Sequence, residues 1–433
     1  MSLPVLDQSS SLDQWLGYLE TLHPKAIDMS LDRVRAVAGK LGLTYPFKVI
    51  MVGGTNGKGS TCAMLEAILL SAGYHVGMYT SPHLIHYNER IRVNGEIASD
   101  AQIIQQFDTI NRVRGDISLT YFEFSTLAAL LLYEHSGIDI AVLEVGMGGR
   151  LDAVNIVDAD CSVVTSIDID HAEWLGDTRE KIGFEKAHIF RPGRPAICAD
   201  PRPPESVVAY AHEIGADLWV SGKDFNYSGD RQQWAYGGRG RRRAGMSYPA
   251  LRGANQLLNA AAALAALESL EDRLVVPQQA IRVGLSLVTL PGRLQTVPGR
   301  PLIILDVAHN PHAAAALAQN MEGMGFYPET HVVVGMLRDK DVKGVVSQFM
   351  GQVDHWYCAT TAGPRGLDGS ELAALVNDLL PPADKEVVTV ASFDNPVRAF
   401  AEAREQASGN DRILVFGSFS TVGPVLKELR LKD

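Results

Sequence analysis

The chain has 433 residues, which at roughly 150 residues per domain anticipates about two or three domains. A hydrophobic share of 46% with 21% charged residues excludes an intrinsically disordered chain. The 39 Lys and Arg against 50 Asp and Glu leave a net charge of −11, which excludes nucleic-acid binding through bulk charge but leaves room for a locally positive anion site.

Residues 1–10 lack a basic start followed by an apolar stretch, so no signal peptide is expected. No apolar run approaches the about 18 residues that span a bilayer. A cytoplasmic protein without a membrane partner is the simplest expectation. Cys62, Cys161, Cys198 and Cys358 are scattered with no CxxC pair, which argues against a cysteine zinc site and against a disulfide framework. They are expected as buried small residues in a reducing compartment.

Lys48–Gly53 (KVIMVG) predicts a strand, 60–72 a helix, 76–80 a strand, and 124–135 a helix leading into the apolar strand 138–145 (IDIAVLEV). Residues 161–167 (CSVVTSI) predict another strand, and the alanine-rich 259–270 a helix. Prolines and glycines at 290–293 and 297–299 then punctuate the chain. After them, strands are predicted over 301–306, 331–335, 353–358, 386–390 and 412–416. Helices alternate with these over 312–322, 342–350, 370–379, 395–406 and 421–430. Unbroken apolar strands between helices predict mostly parallel sheets covered on both faces. The expected class is therefore α/β. A P-loop-type N-terminal ATPase domain would span 1–293, and a smaller Rossmann-like α/β domain 294–433. The segment 237–245 (GGRGRRRAG) is expected as a solvated loop between two strands rather than a phosphate patch.

Residues 49–60 read VIMVGGTNGKGS, a glycine-rich loop after a strand and before a helix. Gly53, Gly54, Gly57 and Gly59 let backbone N–H groups approach an anion, and the helix N-terminus adds partial positive charge. Lys58 is suited to outer phosphates, and Ser60 or Thr61 to Mg²⁺. The spacing departs from GxxxxGK[ST], because three residues separate Gly53 from Gly57 and Gly59 stands between Lys58 and Ser60. A nucleoside triphosphate site is predicted.

Ligands of open parallel sheets bind outside the carboxyl ends of the strands. Ser81, Glu144 and His171 all fall at such ends, and together they suggest a Mg²⁺ site shared with phosphate. Asp306 and His309 stand at another strand end, before Asn310 and Pro311, which suit a helix cap and first turn. Helical periodicity alone makes Lys186 a solvated surface residue.

These motifs resemble a known family. GTNGKGS (54–60), TSPHL (80–84), NERIRVNGE (88–96), LEVGMGGRLDAVN (143–155), DHAEWLG (170–176), EKAHIFRPG (185–193), PGR (291–293), DVAHNPHA (306–313) and FGSFSTV (416–422) are similar to folylpolyglutamate synthases. That family lies in the amide ligase superfamily of the Mur peptidoglycan ligases. LTYFEF (119–124) and LDAVNIVDAD (151–160) most resemble its bifunctional bacterial members, which also make dihydrofolate. The alternative is a member that only extends folates. A P-loop module without ligase chemistry is disfavoured by the DVAHNP turn.

The resemblance implies ATP-driven amide formation through an acyl phosphate, with dihydropteroate, reduced folates and L-glutamate as small-molecule partners. It implies two Mg²⁺ ions, with a monovalent cation as an additional candidate, and a monomeric chain. By position, Thr55, Asn56, Gly57, Lys58, Gly59 and Ser60 would hold ATP phosphates, while Asn259, Arg293 and Asp306 would also contact ATP. Ser60, Ser81, Glu144, His171 and Lys186 would serve the metal, Lys186 as a carbamylated lysine. Asp28, Thr120, Phe122, Asp152 and Ala153 would hold dihydropteroate. His309 and Ser418 would serve the glutamate side, His309 with a catalytic part beside Lys58 and Lys186. Two departures stand out. His188 follows Ala187 where the family has glycine, and is expected to face solvent. Asn255-Gln256 stands where many members carry His-Gln.

Overall fold

The computed structural model describes residues 6–230 and 232–430. Residues 1–5, 231 and 431–433 lie outside the described set, and with them half of the stretch 1–10 considered for a signal peptide. The chain forms two compact units. Among the described residues, the first comprises 6–83, 87–230, 232–250 and 257–288; the second comprises 84–86, 251–256 and 289–430.

The first unit is built on an eight-stranded sheet. Its strands are β1 (Lys48–Gly53), β2 (Val76–Tyr79), β3 (Ile91–Val93), β4 (Glu96–Ile97), β5 (Ile140–Glu144), β6 (Cys161–Val164), β7 (Pro195–Cys198) and β8 (Asp217–Val220), in the order β4-β3-β2-β5-β1-β6-β7-β8. From β2 to β8 neighbouring strands are parallel, and the β2–β3–β4 edge is antiparallel. The central β1 and β5 are buried almost throughout, which explains their unbroken apolar sequence. In register, Val52 lies opposite both Glu144 and Val163. The carboxyl ends of β5, β1 and β6 therefore stand side by side.

The helix Tyr121–Ser136 packs in the core with Leu12–Leu22, Asp32–Leu41 and Asp100–Arg114, where Phe107 meets Trp15 at 5.9 Å and Phe124 at 5.3 Å between ring centroids. Its start is set by a capping box. Thr120 Oγ1 accepts the Glu123 N–H at 3.2 Å, and Glu123 returns by accepting the Thr120 N–H at 2.7 Å. A small antiparallel sheet follows, made of β9 (Asn226–Gly229), β10 (Trp234–Gly237) and β11 (Arg242–Met246). The arginine-rich segment forms its β10–β11 turn and enters β11. It is not simply solvated. Arg239 binds Asp217 at 2.6 Å and Asp224 at 3.0 Å while lying over the Trp219 ring, and Arg241 pairs with Glu271. Local carboxylates balance that charge.

The second unit is a six-stranded sheet of β12 (Gln295–Val297), β13 (Leu302–Asp306), β14 (Thr330–Val334), β15 (His355–Ala359), β16 (Thr389–Phe393) and β17 (Arg412–Phe416), ordered β12-β13-β17-β14-β15-β16. Only β12 runs antiparallel to its neighbour. Alternate residues feed two cores, with Ile304, Val332, Val334 and Leu414 on one face and Ile303, Leu305, Val333 and Val415 on the other. The α/β class of both units is as expected. Two elements shift. The strand expected at 386–390 lies at Thr389–Phe393, because Asp384–Glu386 forms a 3-10 turn. The helix expected to reach 350 ends at Ser347. Among the described residues, no helix is long and apolar enough to cross a membrane, and all four cysteines are buried and free.

Candidate active site

The glycine-rich loop leaves β1 and turns into the helix Lys58–Ser71, which begins two residues before its expected start. Gly57 caps this helix with φ of 91°, in the left-handed region. A Cβ there would lie 2.4 Å from Asn259 Oδ1, so only glycine satisfies both the turn and the neighbour. The residues after β6 brace the loop. The Thr55 N–H donates to the Ser166 carbonyl at 2.7 Å, and the Asn56 N–H to Ser166 Oγ at 3.2 Å. Thr165 Oγ1 donates to the Asn56 carbonyl at 2.7 Å. Thr55 Oγ1 also donates to the Asp168 carbonyl and accepts the Asp168 N–H, both at 3.0 Å. The loop is thus preorganised before any anion arrives. Thr61 Oγ1 donates to the Gly57 carbonyl at 3.0 Å, and both Ser60 and Thr61 are buried in the first turn of the helix.

Lys58 Nζ donates to the Gly54 and Thr55 carbonyls, each at 3.2 Å. Lys186 comes to the same place. Its helix, Arg179–Ala187, carries it to a side-chain hydrogen bond with the Gly54 carbonyl at 2.9 Å, and the residue is only 4% exposed. This corrects the surface position that periodicity predicts. Burial, reinforced by the Lys58 charge, pushes the Lys186 pKa down to about 7. A lysine held this way supplies neutral amine at ordinary pH. His188 is half-buried, so it meets solvent only in part. It stacks on Tyr210 with ring centroids 3.9 Å apart, and its Nδ1 lies 2.7 Å from the Phe184 carbonyl.

Of the metal candidates, Ser81 and Glu144 stand at the ends of the neighbouring strands β2 and β5, and His171 lies in the stretch that follows β6. Glu144 closes β5, is buried, and accepts the Ser81 N–H on Oε2 at 2.9 Å. His171 has φ of 52° and starts the short helix Ala172–Leu175, its N–H donating to Asp170 Oδ1 at 2.8 Å. A carboxylate, hydroxyls and an imidazole beside a phosphate loop are a donor set suited to a divalent cation that also takes phosphate oxygens.

The five residues expected around dihydropteroate belong to one linked region. Asp28 lies 3.0 Å from His23 Nε2 and 3.2 Å from Arg33. Arg33 also reaches Glu123 at 3.1 Å, and Glu123 is the capping partner of Thr120. Hydrogen bonding from His23, ahead of the Arg33 charge, holds the Asp28 pKa below its ordinary value. Phe122 closes against Gly146, where a Cβ would come within 2.6 Å of its ring. Asp152 accepts the Met147 N–H at 2.8 Å and the Val154 N–H at 3.1 Å, and Ala153 opens the 3-10 turn that follows. Burial raises the Asp152 pKa to about 6. His23, Arg33 and Glu123 were not singled out in the sequence. The spacing of Thr120 and Glu123 was the one available signal, a capping box.

In the second unit, Asp306 ends β13 and accepts the N–H groups of Leu294 and Ala308, each at 2.8 Å. Burial raises its pKa, opposed chiefly by Arg293, which lies 5.3 Å over the Phe419 ring. His309 Nδ1 is 2.9 Å from the Val307 carbonyl. Asn310 caps the next helix through the Ala313 N–H at 2.9 Å, with Pro311 in its first turn. Ser418 is buried, and its Oγ lies 2.7 Å from Ser420 Oγ.

The model of the Mur ligase middle domain matches residues 52–267, and that of the Mur ligase glutamate ligase domain matches 292–419. The dihydrofolate synthase/folylpolyglutamate synthase of Escherichia coli K12 is 45% identical over 420 residues, covering 97% of this chain and 96% of the relative. Among solved structures, E. coli FolC in complex with DHPP and ADP aligns with a TM-score of 0.93 and 44% identity, over 99% of this chain and 100% of that one. The bifunctional folylpolyglutamate synthase/dihydrofolate synthase of Yersinia pestis, complexed with AMPPNP and Mn ion, gives 0.89 and 43% over 99% and 100%.

Proposed function

The chain belongs to the dihydrofolate synthase/folylpolyglutamate synthase family of Mur-type ligases, and from that premise we propose how its own residues carry the reaction. It is an ATP-dependent amide ligase that joins L-glutamate to dihydropteroate, making dihydrofolate, and to reduced folates, making folylpolyglutamates. It uses ATP and a divalent cation.

A substrate carboxylate oxygen attacks the γ-phosphorus of ATP, and ADP leaves. The glutamate amine then attacks the acyl carbon of the resulting acyl phosphate. The amide bond forms, inorganic phosphate departs, and the nitrogen loses a proton. In our assignment the first step belongs to the loop. Thr55, Asn56, Gly57, Gly59 and Ser60 hold the β- and γ-phosphates with backbone and hydroxyl donors, and Lys58 offsets charge that gathers on the transferring group. Asn259, Arg293 and Asp306 take the rest of the nucleotide. Two Mg²⁺ ions, held by Ser60, Ser81, Glu144, His171 and a modified Lys186, would draw together the carboxylate and triphosphate that otherwise repel. The modification is a carbamate, formed when neutral Nζ adds carbon dioxide and releases a proton. Asp28, Thr120, Phe122, Asp152 and Ala153 orient the pterin substrate. His309 and Ser418 take the glutamate side. A monovalent cation is a further ligand of this reading, and we place the enzyme in the cytoplasm as a monomer.

The observation that carries this assignment is the convergence of Lys58 and Lys186 on the Gly54 carbonyl, beside the Glu144 strand end. The test is ADP release by the purified protein with dihydropteroate or tetrahydrofolate, omitting glutamate or ATP in turn. Turnover of both substrates is expected. Turnover of the folate alone would leave only the chain-extending activity.

A further inference from the structure

At the amino ends of the second unit's strands, on the opposite edge of the sheet from Asp306, lies a cluster that the ligase reaction does not use. His331 and His355 are direct partners across β14 and β15, with rings stacked at 4.5 Å. Glu329 stands two residues before His331. Its Oε2 is 3.2 Å from His355 Nε2 and 3.7 Å from His331 Nε2. One ligand atom from each of the three residues lies within 4.8 Å of the others. His331 is 1% exposed, yet its Nε2, aimed into the cluster, makes no hydrogen bond. A buried imidazole nitrogen left that way carries a desolvation cost that a bonded partner would remove.

The remaining ring nitrogens are already placed. His331 Nδ1 is 3.0 Å from the Tyr357 hydroxyl, and His355 Nδ1 is 2.7 Å from Thr389 Oγ1. Hydroxyls can accept, so each ring can keep its proton on Nδ1 and present the Nε2 lone pair to the cluster. That second contact is how metal-bound histidines are oriented. Asp411 adds negative charge, with Oδ2 at 3.8 Å from His331 Nε2, but the same oxygen accepts the Ser408 N–H at 2.6 Å. Tetrahedral ligands about 2.0–2.1 Å from a zinc ion stand about 3.3 Å apart. The 3.2 Å from Glu329 to His355 Nε2 is near that spacing and the 3.7 Å to His331 Nε2 is wider, so the strands can stay in place while the partly exposed His355 ring tilts out of its stack to aim at a shared ion.

We propose that Glu329, His331 and His355 form a binding site for a zinc-type divalent transition ion, distinct from the cation of the ligase reaction. Two imidazoles and one carboxylate favour such an ion over Mg²⁺, which prefers oxygen ligands. The fourth position is left to water. The site ties β14 to β15 through side chains, so its ion stabilises the second unit rather than joining in catalysis.

The test uses the full chain, stripped with a chelator and kept in excess Mg²⁺. Zinc is titrated calorimetrically, and cobalt is followed by its visible absorption. His355→Gln and Glu329→Gln are the variants, since both positions reach the surface, and circular dichroism checks their folding. The unmodified chain is expected to take up one more zinc equivalent than His355→Gln, to show cobalt bands that this variant lacks, and to melt higher with zinc. Glu329→Gln is expected to weaken binding by about tenfold or more. Ligase activity in Mg²⁺ should be unchanged in both. Equal zinc stoichiometry and affinity in the unmodified chain and His355→Gln would overturn the proposal, as would absence of zinc uptake by the unmodified chain.

Discussion

Lys186 Nζ donates a hydrogen bond to the Gly54 carbonyl oxygen at 2.9 Å, and the same oxygen accepts from Lys58 at 3.2 Å. Burial first, and the nearby Lys58 charge second, disfavour the protonated form of Lys186. Lys186 has a folded pKa of about 7 against an ordinary 10.5. Between those values the unfolded chain binds the extra proton, so this residue makes stability rise with pH across that window. Below about pH 7 both states are charged and the burial penalty is at its full size. Lys186→Met should therefore flatten the rise in stability between pH 7 and pH 9. Urea unfolding in buffer free of carbon dioxide measures it, and an unchanged slope would count against the lowered pKa.

The same neutral amine is what a carbamate needs. Lys186→Ala should lose activity by about a hundredfold or more, the size of removing one preorganised electrostatic group. Added short carboxylates should restore part of it by standing in for the missing carboxylate. Steady-state ADP release with and without acetate decides this. A fully active variant would dismiss the carbamate.

Gly57 sits at φ of 91° with Asn259 Oδ1 where its Cβ would be. Gly57→Ala should cost about 1–3 kcal/mol through strain and displacement of Asn259. Nucleotide binding should suffer most, with ATP affinity falling by about tenfold or more, since about 1.4 kcal/mol is tenfold. Calorimetric titration of a nonhydrolysable ATP analogue measures it, beside a thermal melt.

How much of this was legible beforehand follows from where each signal resides. Buried central strands announce themselves, and Lys48–Gly53 and 412–416 were placed to the residue because each is an unbroken apolar run behind one basic residue, Lys48 or Arg412. The edge strand Thr389–Phe393 has mostly exposed side chains, so the apolar Val387, Val388 and Val390 drew its expected position too early. The phosphate loop was readable because its glycines and Lys58 act locally. Lys186 was not. Its burial depends on a helix reaching a carbonyl 132 residues away in sequence, and helical spacing contains no trace of that approach. Only family resemblance pointed to it. Arg33 had neither signal, because its meaning lies in Glu123, 90 residues on.

Glu144 and Ser81 are joined by a backbone N–H to carboxylate hydrogen bond of 2.9 Å between neighbouring strand ends. Glu144→Gln keeps the side chain's shape and can keep that bond through its amide oxygen, but it removes the charge a cation needs. Carboxylate-dependent ADP release should fall by about a hundredfold or more. The melting temperature should barely move, because the variant no longer buries an anion. Raising Mg²⁺ should recover part of the activity. Near-normal turnover at low Mg²⁺ would remove Glu144 from the metal set.

Arg33 holds two carboxylates, Asp28 at 3.2 Å and Glu123 at 3.1 Å, and Glu123 is almost wholly buried. Removing the guanidinium leaves Glu123 inside without its cation, while its capping bond to the Thr120 N–H persists. A broken buried pair costs about 3–5 kcal/mol, and the partial exposure of Arg33 reduces this, so Arg33→Ala should destabilise the chain by about 2–3 kcal/mol. Chemical denaturation gives that number. The functional effect should be selective. Asp28 and Thr120 lose their common brace, so KM for dihydropteroate should rise, while ATP affinity, set at the separate Gly54–Gly57 loop, should stay. Arg33→Lys should regain part of the stability but less of the KM, because an ammonium cannot span both carboxylates as the planar fork does. Equal losses in dihydropteroate and ATP binding would instead mean general loosening of the unit.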